Sequence, residues 1–425
     1  MSNVRQIAEM AKFAAQDALK LSTEIKNEAL NAVINSFEKN KTAILKANET
    51  DLENAKSLNI SSSMYNRLKL DENKLRDMIQ GVRDIVSLED PVNKIIWSKD
   101  IAQGITLKKI SCPIGVIGVI FEARPDVISQ ISSLAIKSSN AVILKGGSEA
   151  METNNVIFNL IKEAVSTVKG FPVNVVNLIH SREDVKEMLD TDEYIDLIIP
   201  RGSNALVKYI KSNTKIPVLG HADGICHIYT DEDADLEKAC NIIIDAKCQY
   251  PSACNSVETV LINDKIKDKF IPLLFGKLKS NGVTINAERA IEEDYKGFVN
   301  EIVEDWHKEY GEKTISVKIV HDLDEAIAHI NKYGSGHTDC IVTENDKTAE
   351  KFMTYVDSAG VYKNISTRFA DGFRYGFGAE VGISTNKTHA RGPVGLEGLT
   401  IYKYKLYGNG DIVEDFVSGK RHFNK

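Results

Sequence analysis

The residues of this 425-residue chain best placed to do chemistry lie in the run Gln249-Tyr250-Pro251-Ser252-Ala253-Cys254-Asn255-Ser256. A cysteine among small residues, between a helical run and an apolar strand, is how a protein would present a thiol to a small substrate. As a thiolate it could attack a carbonyl and hold the acyl group as a thioester. The commoner role is the opposite one, since a lone cysteine is usually a small buried hydrophobe. Spacing alone leaves both roles open.

Two glycine loops could hold an anion. Lys145-Gly146-Gly147-Ser148 follows the apolar strand Ala141 to Lys145, and Arg201-Gly202-Ser203-Asn204 follows Ile195 to Ile199. Each opens a helix at the carboxyl end of a strand, where free backbone N–H groups and the helix dipole favour phosphate. Each could equally be a plain turn. Basic residues sit on two further loops, Arg124 in Phe121-Glu122-Ala123-Arg124-Pro125 and His389 with Arg391 in Thr388-His389-Ala390-Arg391-Gly392-Pro393. The planar fork of arginine suits an acyl phosphate or a carboxylate. Alone, each could be a solvated surface charge; together with a thiol they point to an anionic substrate.

Composition narrows the class. A net charge of -7 and a pI near 5.8 leave no overall basic field, which argues against nucleic acid as the main partner. Met1 to Lys20 mixes charged and apolar residues at helical spacing, unlike a signal peptide, and no apolar run reaches membrane-spanning length. The expectation is a cytoplasmic protein that binds neither nucleic acid nor membrane. The cysteines at 112, 226, 240, 248, 254 and 340 form no Cys-x-x-Cys. His221, Cys226 and His227 lack paired ligand spacing, so no metal is expected. Neither Gly-x-Gly-x-x-Gly after a strand nor a Walker A sequence occurs.

The elements that would position these residues follow from periodicity. Val4 to about Leu88 reads as helical, and Trp97 to Ile110 as a β-hairpin around Gln103-Gly104. From Pro113 short apolar strands alternate with amphipathic helices, the signature of βαβ units and a parallel sheet. Strands are expected at Ile114 to Phe121, Ala141 to Lys145, Val173 to Ile179, Ile195 to Ile199 and Ile216 to Leu219. A second series from about Ile225 places strands at Ile225 to Tyr229, Val257 to Ile262, Val283 to Asn286, Ile315 to Val320, Cys340 to Thr343 and Gly360 to Asn364. Leu399 to Leu406 alternates again and should pair with the hairpin or a neighbouring subunit.

Several runs carry a family likeness: Gln249 to Thr259, Ile114-Gly115-Val116-Ile117-Gly118-Val119-Ile120-Phe121-Glu122-Ala123-Arg124-Pro125, Leu144-Lys145-Gly146-Gly147-Ser148, Ile199-Pro200-Arg201-Gly202-Ser203, and Thr388 to Thr400. They resemble gamma-glutamyl phosphate reductase, a family within the aldehyde dehydrogenase superfamily, over nearly the whole chain. The resemblance implies an aldehyde dehydrogenase-like α/β fold, with two Rossmann-like parallel-sheet domains and a β-strand oligomerisation arm. The expected division is 1–96 with 111–224 as the NADPH-binding domain and 225–365 as the catalytic domain. Residues 97–110 with 398–425 would be the arm, and 366–397 a glycine-rich region near substrate and cofactor.

Residue by residue, the resemblance places Cys254 on the nucleophile and Lys145 on a lysine that contacts the adenosine ribose. It puts Ser148 where a small residue leaves room for a 2′-phosphate, and Gly202-Ser203 near the pyrophosphate. Glu309 falls on the glutamate that holds the nicotinamide ribose. Arg124, His389 and Arg391 are the candidates for the substrate phosphate or α-carboxylate.

Two departures bear on the chemistry. Hydrolytic aldehyde dehydrogenases carry a glutamate base where this chain reads His221-Ala222-Asp223-Gly224, and an oxyanion asparagine where it reads Ala123-Arg124-Pro125. Hydrolysing a thioester needs a base that activates water. A reductase must avoid water, so losing the base agrees with reduction. The Cys254 backbone N–H is the first candidate for an oxyanion donor. The implied reaction is reduction of L-glutamyl 5-phosphate to L-glutamate 5-semialdehyde with NADPH, through a Cys254 thioester, in proline biosynthesis. A homo-oligomer is expected, as is a separate glutamate 5-kinase that makes the substrate and could associate transiently. The alternatives are a non-phosphorylating semialdehyde dehydrogenase and a catalytically silent binding protein of this fold.

Overall fold

The helical spacing of the N-terminal region becomes a series of helices: Asn3–Ala18, Thr23–Lys39, Lys41–Ser57, Ser62–Leu68 and Glu72–Ser87. Their starts are set by side chains that satisfy free backbone donors. The Ser22 hydroxyl accepts from Ile25 N–H, and the Asp71 carboxylate from Asn73 and Lys74 N–H. The computed structural model describes residues 3–58, 60, 62–220 and 223–424, with the side chains of 62 and 63 excepted. His221 and Ala222 lie outside the described residues.

The chain divides into two compact units. The first holds 1–219, 377–381 and 394–425, and the second 220–376 and 382–393. The divide falls after Leu219, ahead of the residue 224 expected from sequence, and the region 366–397 is shared between the units.

In the first unit a parallel sheet runs in the order Val176–Ile179, Ala141–Lys145, Val116–Phe121, Leu197–Arg201. Winding proceeds outward from Val116–Phe121 and then reverses, so Leu197–Arg201 lies on its other side. Such a reversal opens a crevice at the carboxyl ends of those two strands. All six residues of Val116–Phe121 are buried, as expected for a strand covered on both faces. Val4, Ala8 and Ala11 of the first helix pack with Val116, Ile120, Ile143 and Ile198. The strand expected at Ile216 to Leu219 reduces to a single bridge between Val218 and Ile198. Its Pro217 has no N–H to give to a ladder.

The first unit also contains an antiparallel sheet of Ile95–Ala102, Ile105–Pro113 and Thr400–Tyr407, with the middle strand in sequence also the middle strand in space. The hairpin and the late strand pair as expected. Ile95, Ile96, Trp97, Tyr404 and Leu406 are exposed on it, and the Trp97 and Tyr404 rings lie 6.0 Å apart.

The second unit is built on a parallel sheet in the order Val299–Ile302, Thr284–Ala287, Thr314–Val320, Val257–Asn263, Cys226–Thr230, Thr338–Val342, Gly360–Lys363. Leu236–Cys248 and Lys267–Ser280 pack into one core cluster with its strands. Leu323–Tyr333 and Asp346–Tyr355 pack into another. Every residue of Val257–Asn263 is buried between them.

Candidate active site

Cys254 lies in a run of turns between Leu236–Cys248 and Val257–Asn263, partly exposed. Two turn bonds shape it, Ala253 N–H to Tyr250 C=O and Ser256 N–H to Ala253 C=O. The preceding helix ends toward this segment, so the nearest helix terminus is a carboxyl one, with the negative end of its dipole. A buried arginine is bonded into this segment.

That residue is Arg368, in the short turn Thr367–Phe369. Its Nε donates to Gln249 Oε1 at 2.9 Å, and its Nη1 donates to Asn255 Oδ1. The guanidinium also stands over the Tyr250 ring, 5.7 Å from its centre. Asn255 is fixed from two further sides, its Nδ2 donating to Ala370 C=O and its own C=O accepting from Thr367 Oγ1.

Cys254 is also gripped through its backbone. Gly224 packs so closely that a Cβ there would lie 2.2 Å from the Cys254 carbonyl oxygen and 2.6 Å from its Cα. The Cys226 thiol donates to the same oxygen at 3.4 Å. Among the described residues no carbonyl accepts from the Cys254 N–H, which suits the expected oxyanion donor.

The two ends of the Cys254 segment are tied by a buried ion pair. Lys247, in the last turn of the helix before it, donates to Glu258, in the strand after it, at 2.9 Å; their side chains are 0% and 1% exposed. Burial raises Glu258 to about 7 and lowers Lys247. Glu258 also accepts from Tyr310 and Gly311 N–H, at 3.3 and 3.4 Å. One carboxylate thus holds both the Cys254 segment and the loop that carries Glu309.

The remaining cysteines are poor nucleophiles. Burial pushes up the thiols of Cys112, Cys226, Cys240, Cys248 and Cys340, Cys240 to about 11 and Cys340 to about 12. His389 and Arg391 lie at the surface of the same unit, and Arg391 donates to the Asp357 carbonyl and carboxylate, each at 3.1 Å. Its charge is therefore already matched by Asp357, which Lys387 also pairs.

The other expected site residues belong to the first unit, at the carboxyl ends of its strands. Ser203 caps the helix Asn204–Ser212, and its N–H donates to Glu122 Oε2 at 2.7 Å. A Cβ on Gly202 would meet the same carboxylate oxygen at 2.5 Å, and one on Gly146 would meet Asn154 at 2.2 Å. These glycines keep the backbone open at the rim of the crevice, which fits a dinucleotide. Lys145 is half-buried, and burial lowers its pKa despite the nearby Glu149 and Glu122. Ser148 is exposed at the start of the turn Ser148–Ala150, and Arg124 is partly exposed after Ala123, whose N–H donates to Glu149 at 2.6 Å.

Sequence reasoning missed Arg368, Lys247, Glu258 and Gly224. Arg368 gave no signal, because its partners lie more than a hundred positions away. Lys247 and Glu258 left a faint one, charges at positions of a helix and a strand that otherwise face a core.

Comparison with known proteins identifies the family. The aldehyde dehydrogenase family model matches residues 2–294. A gamma-glutamyl phosphate reductase of Brachyspira hyodysenteriae is 60% identical over 417 residues, 97% of this chain and 96% of that one. The crystal structure of the gamma-glutamyl phosphate reductase of Thermotoga maritima superposes with a TM-score of 0.94 at 38% identity, covering 97% of this chain and 100% of the other. An engineered glycolyl-CoA reductase with bound NADP+ shares the fold at 17% identity and a TM-score of 0.64, over 95% of this chain and 96% of that one. The chain belongs to the aldehyde dehydrogenase family and, within it, to the gamma-glutamyl phosphate reductases.

Proposed function

We propose that the protein reduces L-glutamyl 5-phosphate to L-glutamate 5-semialdehyde with NADPH, releasing orthophosphate, as a step of proline biosynthesis. The 60% identity to a gamma-glutamyl phosphate reductase over 97% of the chain carries this reading. The Cys254 thiolate attacks the acyl carbon, the bond from that carbon to the phosphate oxygen breaks, and phosphate departs with a proton from solvent. A thioester on Cys254 remains. NADPH, when bound, supplies the hydride that reduces it. The Cys254 N–H holds the developing oxyanion, and return of those electrons breaks the carbon–sulfur bond to free the aldehyde and restore the thiolate.

In this reading Lys145, Ser148, Gly202, Ser203 and Glu309 hold the cofactor, and Arg124, His389 and Arg391 serve the substrate. A cofactor phosphate reaches the Ser203 N–H in exchange for the Glu122 carboxylate. The sheet containing Thr400–Tyr407 serves as an oligomerisation arm between copies of the chain. No helix among the described residues is long and apolar enough to cross a membrane; we place the enzyme in the cytoplasm. The lability of an acyl phosphate favours transient association with the separate kinase that makes it.

The test follows NADP+ reduction with the semialdehyde, with and without orthophosphate. The wild type should turn over only with phosphate, and Cys254→Ala should lose at least a thousandfold in kcat. Phosphate-independent turnover would instead mark a non-phosphorylating dehydrogenase. Undiminished activity in the variant would remove Cys254 from the chemistry.

A further inference from the structure

Arg368 is 8% exposed, yet its hydrogen-bond partners, Gln249 and Asn255, are neutral amides. Buried charges are ordinarily paired with an opposite charge, because leaving water is otherwise too costly. Among the described residues no carboxylate lies within ion-pair distance of Arg368. A second guanidinium adds to the positive charge. Arg374 Nη1 donates to the Arg368 carbonyl, and its nearest carboxylate, Asp371, is 3.9 Å away, beyond hydrogen-bond reach. Burial first and Arg374 second pull the Arg368 guanidinium below its ordinary value, while Cys254, Asp371 and Asp245 act the other way, neither carboxylate bonding to it. The corner is short of an anion.

We infer that Arg368, backed by Arg374, is the subsite that takes the phosphoryl group of the acyl phosphate as Cys254 attacks. The inference rests on the proposed reaction and names which residues receive its leaving group. Position selects the phosphoryl group over the α-carboxylate. Arg368 is bonded to the residue directly after the nucleophile, and the phosphoryl group is one oxygen from the attacked carbon. The α-carboxylate of a glutamyl chain is the whole side chain away. Two guanidinium forks also match the charge of a phosphate dianion better than that of a carboxylate. The subsite holds the phosphoryl oxygens while the carbon–oxygen bond breaks, and the electron pair of that bond leaves with phosphate. Arg391, already matched by Asp357, is not required there.

The experiment uses the full chain in the direction of NADP+ reduction, varying orthophosphate and semialdehyde separately for the wild type, Arg368→Lys and Arg374→Gln. The KM for orthophosphate should rise at least tenfold in Arg368→Lys and several-fold in Arg374→Gln, with the KM for semialdehyde within twofold. A second readout needs no turnover. Millimolar orthophosphate should slow alkylation of Cys254 by iodoacetamide, followed by mass spectrometry, in the wild type and not in Arg368→Lys. A rise in semialdehyde KM with phosphate KM unchanged would overturn the assignment, as would an equal rise in both or intact phosphate protection. Wild-type turnover without orthophosphate would instead overturn the reaction itself. Arg374 is exposed and outside the amide network, so Arg374→Gln keeps the test decisive if Arg368→Lys folds poorly.

Discussion

Glu258 shows how much of the site rests on a residue that touches no substrate. Its carboxyl is raised to about 7 by burial, against an ordinary value of 4.5. The folded protein therefore keeps a proton that the unfolded chain releases between those two values. The associated stabilisation is complete below about pH 4.5 and is lost as the pH rises through about 7. The shift corresponds to roughly 3 kcal/mol at most. Glu258→Gln should remove this dependence, so urea unfolding at pH 5 and pH 8 should show a smaller pH effect in the variant than in the wild type. Lys247→Met should cost about 1–3 kcal/mol at neutral pH, because the buried Glu258 carboxyl loses its partner and must take up a proton to stay buried; a loss under 1 kcal/mol would show that the pair does not close the segment. At this scale the run around Cys254 stood out by its small residues and its family likeness. Arg368 was not, since a guanidinium in Ser366-Thr367-Arg368-Phe369 looks like any loop charge until the fold brings Gln249 and Asn255 to it.

Among the elements, the placement of Cys254 departs from the rule that open parallel sheets carry sites at the carboxyl ends of their strands. It precedes Val257–Asn263, as Gly224 precedes Cys226–Thr230 and Tyr310 precedes Thr314–Val320, so Cys254 sits at the amino edge. The first unit follows the rule, with Gly146, Gly202 and Ser203 beyond strand carboxyl ends. At the amino edge, side chains and close backbone contacts position the segment. Gly224→Ala tests this. With backbone atoms of Cys254 at 2.2 and 2.6 Å from the new methyl, kcat should fall at least tenfold while circular dichroism stays native; unchanged kcat would show that the contact yields freely. Fully buried strands such as Val116–Phe121 were readable from continuous apolar runs. Val299–Ile302 was not, because it is an edge strand whose residues are partly or fully exposed and whose sequence, Val-Asn-Glu-Ile, carries no apolar run. The expected strand Val173 to Ile179 begins instead with the turn Val173–Val175, and only Val176–Ile179 joins the sheet.

For the molecule as a whole, the antiparallel sheet that exposes Trp97, Tyr404 and Leu406 is the surface with most to gain from a second copy. Tyr404→Arg combined with Leu406→Arg should lower the mass measured by light scattering from an oligomer toward the 47.1 kDa of one chain. An unchanged mass would assign assembly to another surface. The strand order of the same sheet also constrains how the protein is made. Ile105–Pro113 pairs on one side with Ile95–Ala102 and on the other with Thr400–Tyr407, which leaves the ribosome roughly 290 residues later. At about 5–20 residues per second the inner strand's second edge stays open for some 15–60 s of synthesis. An open edge beside exposed apolar side chains is a template for mispairing, so the nascent chain is most in need of chaperone cover during that interval, before its last strand arrives.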